Sequence, residues 1–300
     1  MYEITVISGK GGAGKSSITA SLCLQEKEII ACDLDVDAAD LHLLFHPQIT
    51  QTNEFISGSN YRIDPEKCTA CGICYQYCNF GAVDKSGDDY SIDAGRCEDC
   101  SVCSHFCSEG AIIKTEKHCG QWFRSKAQFG DFLFARLTPG EENSGRLVTL
   151  LRSEAKKLAK EKDVKYIIND GSPGIGCPVI SSLSGVNLAV IVCEPTPSGF
   201  HDLKRVAELC SHFSVKAAII LNKADLNSEI AAEIKTYCKG QKIAEIAEIP
   251  FDRRFSDAIN SGKAVVELEE ATELKTILEQ TWTNIKEVLH ENDNSNTGGK

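Results

Sequence analysis

The sequence predicts an α/β fold with a mostly parallel sheet, interrupted by a small α+β module rich in cysteine. Three observations predict it. Short apolar runs of buried-strand type alternate with helical stretches, the order that lays helices on both faces of a parallel sheet. The first of these runs passes through a glycine-rich turn straight into a helix. Between about residues 60 and 117 the pattern gives way to a stretch dense in Cys, Gly and Asp, with little helical periodicity.

Along the chain, Tyr2-Glu-Ile-Thr-Val-Ile-Ser8 reads as a buried strand and residues 14–26 as a helix. Glu28-Ile-Ile-Ala-Cys-Asp-Leu-Asp35 reads as a second strand with acids at its C-terminal end. After the interruption, residues 166–170, 188–193 and 217–222 are apolar runs of buried-strand type, with helices near 145–162, 199–213 and 227–239 between them. A last helix over 271–290 places Leu274, Ile277, Leu278, Trp282, Ile285 and Leu289 on one stripe. The polar residues 291–300 are expected to be disordered. The predicted organisation is a discontinuous domain (1–59 with 118–290), an insert (60–117) and a tail (291–300). Residues 118–152 fit neither half tightly.

The 300 residues suffice for one sizeable α/β domain plus a small module. With 42% hydrophobic and 25% charged residues, the composition is that of a soluble globular chain. No apolar run approaches the roughly 20 residues needed to span a bilayer, and the N-terminus lacks the basic-then-apolar pattern of a signal peptide. A formal net charge of −11 argues against nonspecific nucleic-acid binding, which needs a basic face. A cytoplasmic protein with neither nucleic acid nor membrane as partner is expected. Eight of the fifteen cysteines fall in two tight runs, which favours metal ligation in a reducing compartment over disulfides.

Gly9-Lys10-Gly11-Gly12-Ala13-Gly14-Lys15-Ser16, followed by Ser17, satisfies G-x-x-x-x-G-K-S between a predicted strand and a predicted helix. Glycines let consecutive N–H groups wrap phosphates, and the helix N-terminus beyond adds a favourable dipole. Lys15 is placed to reach the β- and γ-phosphates and the Ser16 hydroxyl to ligate Mg²⁺. Tyr166-Ile-Ile-Asn-Asp170 is an apolar strand ending in an acid, the pattern that holds the Mg²⁺ hydration shell, here through Asp170. The glycines of Gly171-Ser-Pro-Gly-Ile-Gly176 suit a loop that moves with the γ-phosphate.

Lys10 is a second lysine inside the loop. With it, Lys-Gly-Gly-x-Gly-Lys-Ser is the deviant Walker A form, and the chain resembles the family of MinD, ParA and the nitrogenase iron protein over roughly residues 1–45 and 145–265. The resemblance implies a P-loop NTPase that hydrolyses ATP with Mg²⁺ as a nucleotide-sandwich homodimer, Lys10 acting in trans on the partner's nucleotide as an arginine finger does. It implies that Asp33 supports Mg²⁺ through water and that Asp35 positions or activates the attacking water. Asn222, in Asn222-Lys223-x-Asp225, corresponds to the adenine-binding segment, and Pro250-Phe-Asp252 to a second loop at the base edge. Asp37 and Asp40 read as solvated.

The interruption contains an internal repeat. Shifted by 29, residues 63–83 fall on 92–112 with all four cysteines, Ile63-Asp64 and Gly81-Ala82 coinciding with their counterparts. Cys68-x₂-Cys71-x₂-Cys74-x₃-Cys78 and Cys97-x₂-Cys100-x₂-Cys103-x₃-Cys107 resemble two complete bacterial ferredoxin runs, and in two-cluster ferredoxins the fourth Cys of each run ligates the other cluster. The resemblance therefore assigns one [4Fe–4S] cluster to Cys68, Cys71, Cys74 and Cys107, and the other to Cys97, Cys100, Cys103 and Cys78. Zinc would need ligands grouped in pairs, which these runs lack. Asn79 and Ser108 replace the usual Pro after the fourth Cys. Cys177, seven residues after Asp170, lies at an offset similar to a cluster ligand of the nitrogenase iron protein; a packed or solvent-side thiol is the simpler reading, and Cys119 is its candidate partner otherwise. The whole reads as an ATPase whose nucleotide state gates electron transfer to a redox partner, with a metallocofactor assembly ATPase serving a client protein as the alternative. A positioning ATPase is disfavoured because the last helix mixes Glu with Lys on its polar side.

Overall fold

The computed structural model describes the backbone of residues 1–141 and 143–295, with side chains through residue 291. It contains two compact units, one of residues 1–53 with 121 onward, the other of residues 54–120. The chain runs β1 (Tyr2–Ser8), α1 (Lys15–Cys23), β2 (Ile29–Asp33), α2 (Leu41–Phe45), β3 (Gln48–Ile63), α3 (Ile73–Tyr77), β4 (Val83–Ser86), β5 (Asp89–Ile92), α4 (Val102–His105), β6 (Ile112–Ala127) and β7 (Gly130–Leu137). It continues with α5 (Ser144–Lys162), β8 (Tyr166–Pro173), α6 (Cys177–Leu183), β9 (Leu188–Cys193), α7 (Pro197–His212), β10 (Ala217–Asn222), α8 (Ser228–Gly240), β11 (Ala244–Ile249), α9 (Arg254–Asn260) and α10 (Thr272–Ser295).

The main sheet has the order β11-β10-β9-β1-β8-β2-β7-β6-β3. From β11 to β7 every neighbouring pair is parallel. Strands β1, β2, β8 and β9 are buried almost throughout, as expected for parallel strands covered on both faces. Alternate residues feed two apolar clusters. Ile4, Val6 and Val190 pack with Ile18 and Leu22 of α1 and with Leu274, Leu278 and Trp282 of α10. Ile7, Ala189 and Ile191 pack with Val179, Leu203, Val206 and Ile234 from α6, α7 and α8. Because the strands are parallel, Ser8, Asp33, Cys193 and Asn222, which end their strands, lie at the same end of the sheet as Asp170, the register partner of Asp33. The chain leaves β1 towards β2 on one side and reaches β9 on the other, and the crevice at such a reversal is where open α/β sheets bind ligands.

Four differences from the sequence reading stand out. The segment 118–152 supplies part of β6, all of β7 and the start of α5, so most of it is regular structure in the main sheet. β3 and β6, 16 residues each, carry the chain from one unit into the other, so the unit boundaries fall inside strands. β11 adds an edge strand whose Glu245 and Glu248 are exposed. α10 extends to Ser295, five residues into the segment expected to be disordered; residues 296–300 of that expectation lie outside the described residues. Among the described residues no helix is long and apolar enough to cross a membrane.

Candidate functional site

Ser8 ends β1, and the next six residues turn so that α1 starts at Lys15. Gly14 takes φ +92° there, and a Cβ on it would lie 2.3 Å from Asn222 Nδ2. The loop borders a cleft of about 470 Å³. Of the predicted nucleotide-binding residues, Gly11, Gly12, Gly14, Lys15, Ser16, Ser17, Asn222, Pro250 and Asp252 line it, as do Asp35 and Asp40. Gly9, Lys10 and Ala13 instead line a separate pocket with the end of β9 and the start of α7.

At the floor of the cleft, Lys15 Nζ is 2.9 Å from Asp170 Oδ2 and 3.7 Å from Asp35 Oδ2. Ser16 Oγ donates to Asp170 Oδ2 at 2.6 Å, and Thr19 Oγ1 donates to Asp170 Oδ1 at 2.8 Å. Asp33 is fully buried and stands one layer back. Its two oxygens accept the N–H groups of Asp35 (3.2 Å) and Leu41 (3.0 Å), so it shapes the turn that presents Asp35. Gly171, Ser172 and Pro173 of the expected loop are the end of β8, and this end is tied to both neighbouring strands: Gly174 N–H, just beyond it, donates to Ser8 O at 2.9 Å, and Ser172 Oγ donates to Leu34 O at 3.1 Å.

Two charged residues that the sequence reading gave no role complete this edge. Asn222 Nδ2 donates to Ala13 O at 2.8 Å, and Lys223 Nζ donates to Gly12 O at 3.1 Å, so the end of β10 holds the phosphate-type loop from behind. Lys223 also pairs with Glu194 Oε2 at 2.9 Å. The other oxygen of Glu194 is 2.5 Å from Lys10 Nζ, which also donates to Ser198 Oγ at 3.1 Å. The only sequence signal was position: both residues directly follow apolar strands. Phe251 N–H donates to Asp225 Oδ1 at 2.6 Å. Asp252 is paired with Arg254 at 2.6 Å, whose hydrogen bonds hold its carboxyl below the usual range.

The cysteine unit keeps the 29-residue repeat in its backbone. Left-handed residues recur in pairs: Ala70 and Asp99, Gly72 and Ser101, Gly81 and Gly110. Asp64 N–H donates to Ala111 O and Asp93 N–H to Ala82 O, both at 2.8 Å, so each repeat closes on the end of the other. Tyr77 and Phe106, also 29 apart, stack at 4.8 Å. Cys78 Sγ accepts the Ala82 N–H and Cys107 Sγ the Ala111 N–H, each at 3.3 Å. Cys68, Cys71, Cys74 and Cys107 line one cavity, three from the first run and the fourth from the second. Among the described residues no three His, Cys, Asp or Glu side chains already converge as a metal-ligating group.

Of the remaining cysteines, Cys23, Cys32, Cys193, Cys210 and Cys238 are buried. Cys119 is also buried, its thiol donating to Ser57 O at 3.0 Å, whereas Cys177 is exposed at the start of α6. Cys119 is thus engaged within its own unit.

A family model for the CobQ/CobB/MinD/ParA nucleotide-binding domain matches residues 4–265. The chain belongs to this family. An uncharacterized protein of Methanocaldococcus jannaschii is 38% identical over 231 residues, covering 76% of this chain and 80% of that protein. A second uncharacterized protein of the same archaeon is 25% identical over 270 residues, covering 88% and 91%. Among solved structures, the cell division ATPase MinD of Pyrococcus furiosus superposes with a TM-score of 0.57 at 15% identity, over 96% of this chain and 99% of that one. MinD of Pyrococcus horikoshii, solved with Mg-ADP, gives 0.56 at 15% over 96% of each. A ParA family ATPase of Chlorobium tepidum gives 0.56 at 19% over 94% and 98%. At these identities the structures establish the fold.

Within this nucleotide-binding domain, the cleft holds more acid than base. Burial raises Asp35 to about 6, with Asp170, Asp37 and Asp40 adding to the shift and Lys15 opposing it. Burial and the neighbouring Asp170 push Asp33 well above the usual carboxylate range, again against Lys15. A carboxylate that takes a proton from water must first be ionised. If Asp35 is the carboxylate that takes the proton, turnover of the wild type should rise with pH through an acidic limb near 6. The Asp35→Asn variant is expected to be slow and to lack that limb; a limb of unchanged midpoint in the variant would show that another group titrates.

Proposed function

We propose that this chain is a Mg²⁺-dependent ATPase that carries two [4Fe–4S] clusters and couples its nucleotide state to electron transfer to a partner protein. Two features support the ATPase half: the family membership, and the cleft floor in which Lys15 and Ser16 meet Asp170. The observation that supports the second half is the cavity shared by three cysteines of one run and the fourth of the other. Thiolates in that arrangement, each fourth one backed by a backbone N–H, suit a cubane cluster, which supplies one-electron chemistry when bound. On this reading Cys68, Cys71, Cys74 and Cys107 hold one cluster, and Cys97, Cys100, Cys103 and Cys78 the other.

In the ATPase reaction, the N–H groups of the Gly9–Ser17 loop orient the phosphates and Lys15 neutralises charge on them. Ser16 and Asp170 are the residues that would hold Mg²⁺ and its waters, with Asp33 fixing the turn behind. Asp35 accepts a proton from the attacking water. Asn222, Pro250 and Asp252 border the base. Two copies close around the nucleotides, and Lys10 of each reaches the other's phosphates. The setting is the reducing cytoplasm, where the thiolates survive. The chain passes from Asp35 through α2 into β3 and so into the cysteine unit, which gives nucleotide state a covalent route towards the clusters.

The alternative, a metallocofactor assembly ATPase, draws on the exposure of Cys71, Cys100 and Cys177, since delivery to a client needs accessible thiols. The two are separated by anaerobic measurements on the purified protein. Gated electron transfer requires cluster potentials that move on addition of Mg·ATP, and iron that stays on the chain through turnover. Transfer of iron to an apo-ferredoxin with unmoved potentials would establish the alternative. The Lys10→Ala variant tests the dimer reading: ATP turnover is expected to fall by about 10²-fold, and wild-type turnover would refute a role in trans.

A further inference from the structure

We infer that Glu194 is the positioning residue for Lys10, holding it on its own subunit until a second copy docks. This deepens the proposed function and rests on its reading of Lys10 as acting in trans. Lys10 Nζ lies 2.5 Å from Glu194 Oε1, with Ser198 Oγ at 3.1 Å and Thr196 Oγ1 at 3.4 Å. These partners sit at the end of β9 and the start of α7, where Lys10 lines a pocket separate from the cleft. One ammonium cannot occupy this pocket and also reach a phosphate on another subunit, so the Glu194 contact must break before Lys10 can act.

The second lysine makes that break inexpensive. Glu194 is 12% exposed in its side chain, and stripping such a carboxylate of its only cation would be costly. Lys223, 2.9 Å from the other oxygen, remains in place when Lys10 leaves. Burial works against the Glu194 charge, but Lys10 and Lys223 outweigh it and hold the group ionised. Lys223 is anchored in turn on Gly12 O, so the loop backbone keeps its support in both states. The arrangement is a two-position device for one lysine, with a carboxylate held in readiness by another.

Glu194→Gln should release Lys10. Sedimentation of the full chain with Mg²⁺ and a non-hydrolysable ATP analogue is expected to show dimers forming at about fivefold lower protein concentration, the effect of removing one partly exposed ion pair from the resting state. Glu194→Asp, which keeps the charge, should lie between the two. In a Lys10→Ala background the gain should vanish. Wild-type dimerisation by Glu194→Gln, or a gain that persists without Lys10, would overturn the inference, the second result assigning Glu194 to Lys223 and the loop instead. A Lys10→Ala protein that dimerises and turns over normally would refute the parent reading, whereas an impaired Lys10→Ala beside an unchanged Glu194→Gln refutes only the latch.

Discussion

Lys15→Ala is expected to lose ATP hydrolysis by at least about 10²-fold, the cost of removing one preorganised charge from a phosphate site, and to lose stability as well. The structure gives both effects one cause. Lys15 is 6% exposed and is the cation among Asp170, Asp35 and Asp33. Burial lowers its affinity for a proton, yet Asp170 and Asp35 more than reverse that. Taking it away strips a buried carboxylate of its ion-pair partner, an event that costs about 3 kcal/mol. Ser16 and Thr19 still donate to Asp170, so the variant should fold. The pH dependence separates this electrostatic loss from simple cavity formation. In the wild type, Asp35 titrates near 6 instead of 3.8, so between those values the folded state holds a proton that the unfolded state has released. Stability therefore falls as pH rises through that window and levels off above it. Without Lys15, Asp33 and Asp35 shift further upward and the window extends towards neutrality. Thermal unfolding should then show a larger deficit for Lys15→Ala at pH 8 than at pH 5.5. An equal deficit at both values would mean that packing, not charge, accounts for the loss.

The residues that meet at the cleft floor were legible in the sequence because each sits at or just beyond an apolar strand. β1, β2 and β8 are buried on both faces, so they appear as mostly apolar runs, and the acid or glycine turn at or beyond the end of each is delivered to the same end of the sheet by parallel pairing. The same logic hid Glu194 and Lys223. Each follows its own strand, β9 and β10, but their link to each other and to Lys10 exists only once those strands are side by side. β3 was not legible for another reason. Gln48 to Glu54 is polar and mostly exposed, so a strand held by its neighbour's backbone leaves no periodic trace. β7 did leave one, since Phe132-Leu-Phe-Ala135 is wholly buried, but it lay in a stretch that matched neither half. Polar composition misled at the other end, where Glu291 to Ser295 continue α10 although little in their side chains asks for a helix.

On the proposed crossed ligation, Cys107→Ser should remove the cluster whose other ligands would lie in the opposite run. The anaerobically prepared wild type is expected to hold about eight iron atoms per chain and the variant about four. Cys68→Ser should do the same, and the two together should do no more, because both thiols line one cavity with Cys71 and Cys74. Pairing Cys107→Ser with Cys97→Ser should instead leave almost no iron, since the proposed ligation puts those positions on different clusters. If each run filled its own cluster, the two double variants would exchange outcomes. The crossed assignment also has a consequence for folding. The unit of residues 54–120 buries few large apolar side chains, chiefly Phe55, Tyr61, Val83 and Ile112, a core too thin to stand alone at this size. Its repeats are joined through Asp64 to Ala111 and Asp93 to Ala82, and a metal bound by thiols from both runs would close the same joint, so that metal binding becomes folding energy. Loss of one crossed cluster should therefore loosen both repeats. Limited proteolysis of Cys107→Ser is expected to cut within 54–120 on both sides of Cys78 while leaving the nucleotide-binding unit intact; cleavage confined to the second repeat would argue that each repeat is held by its own ligands.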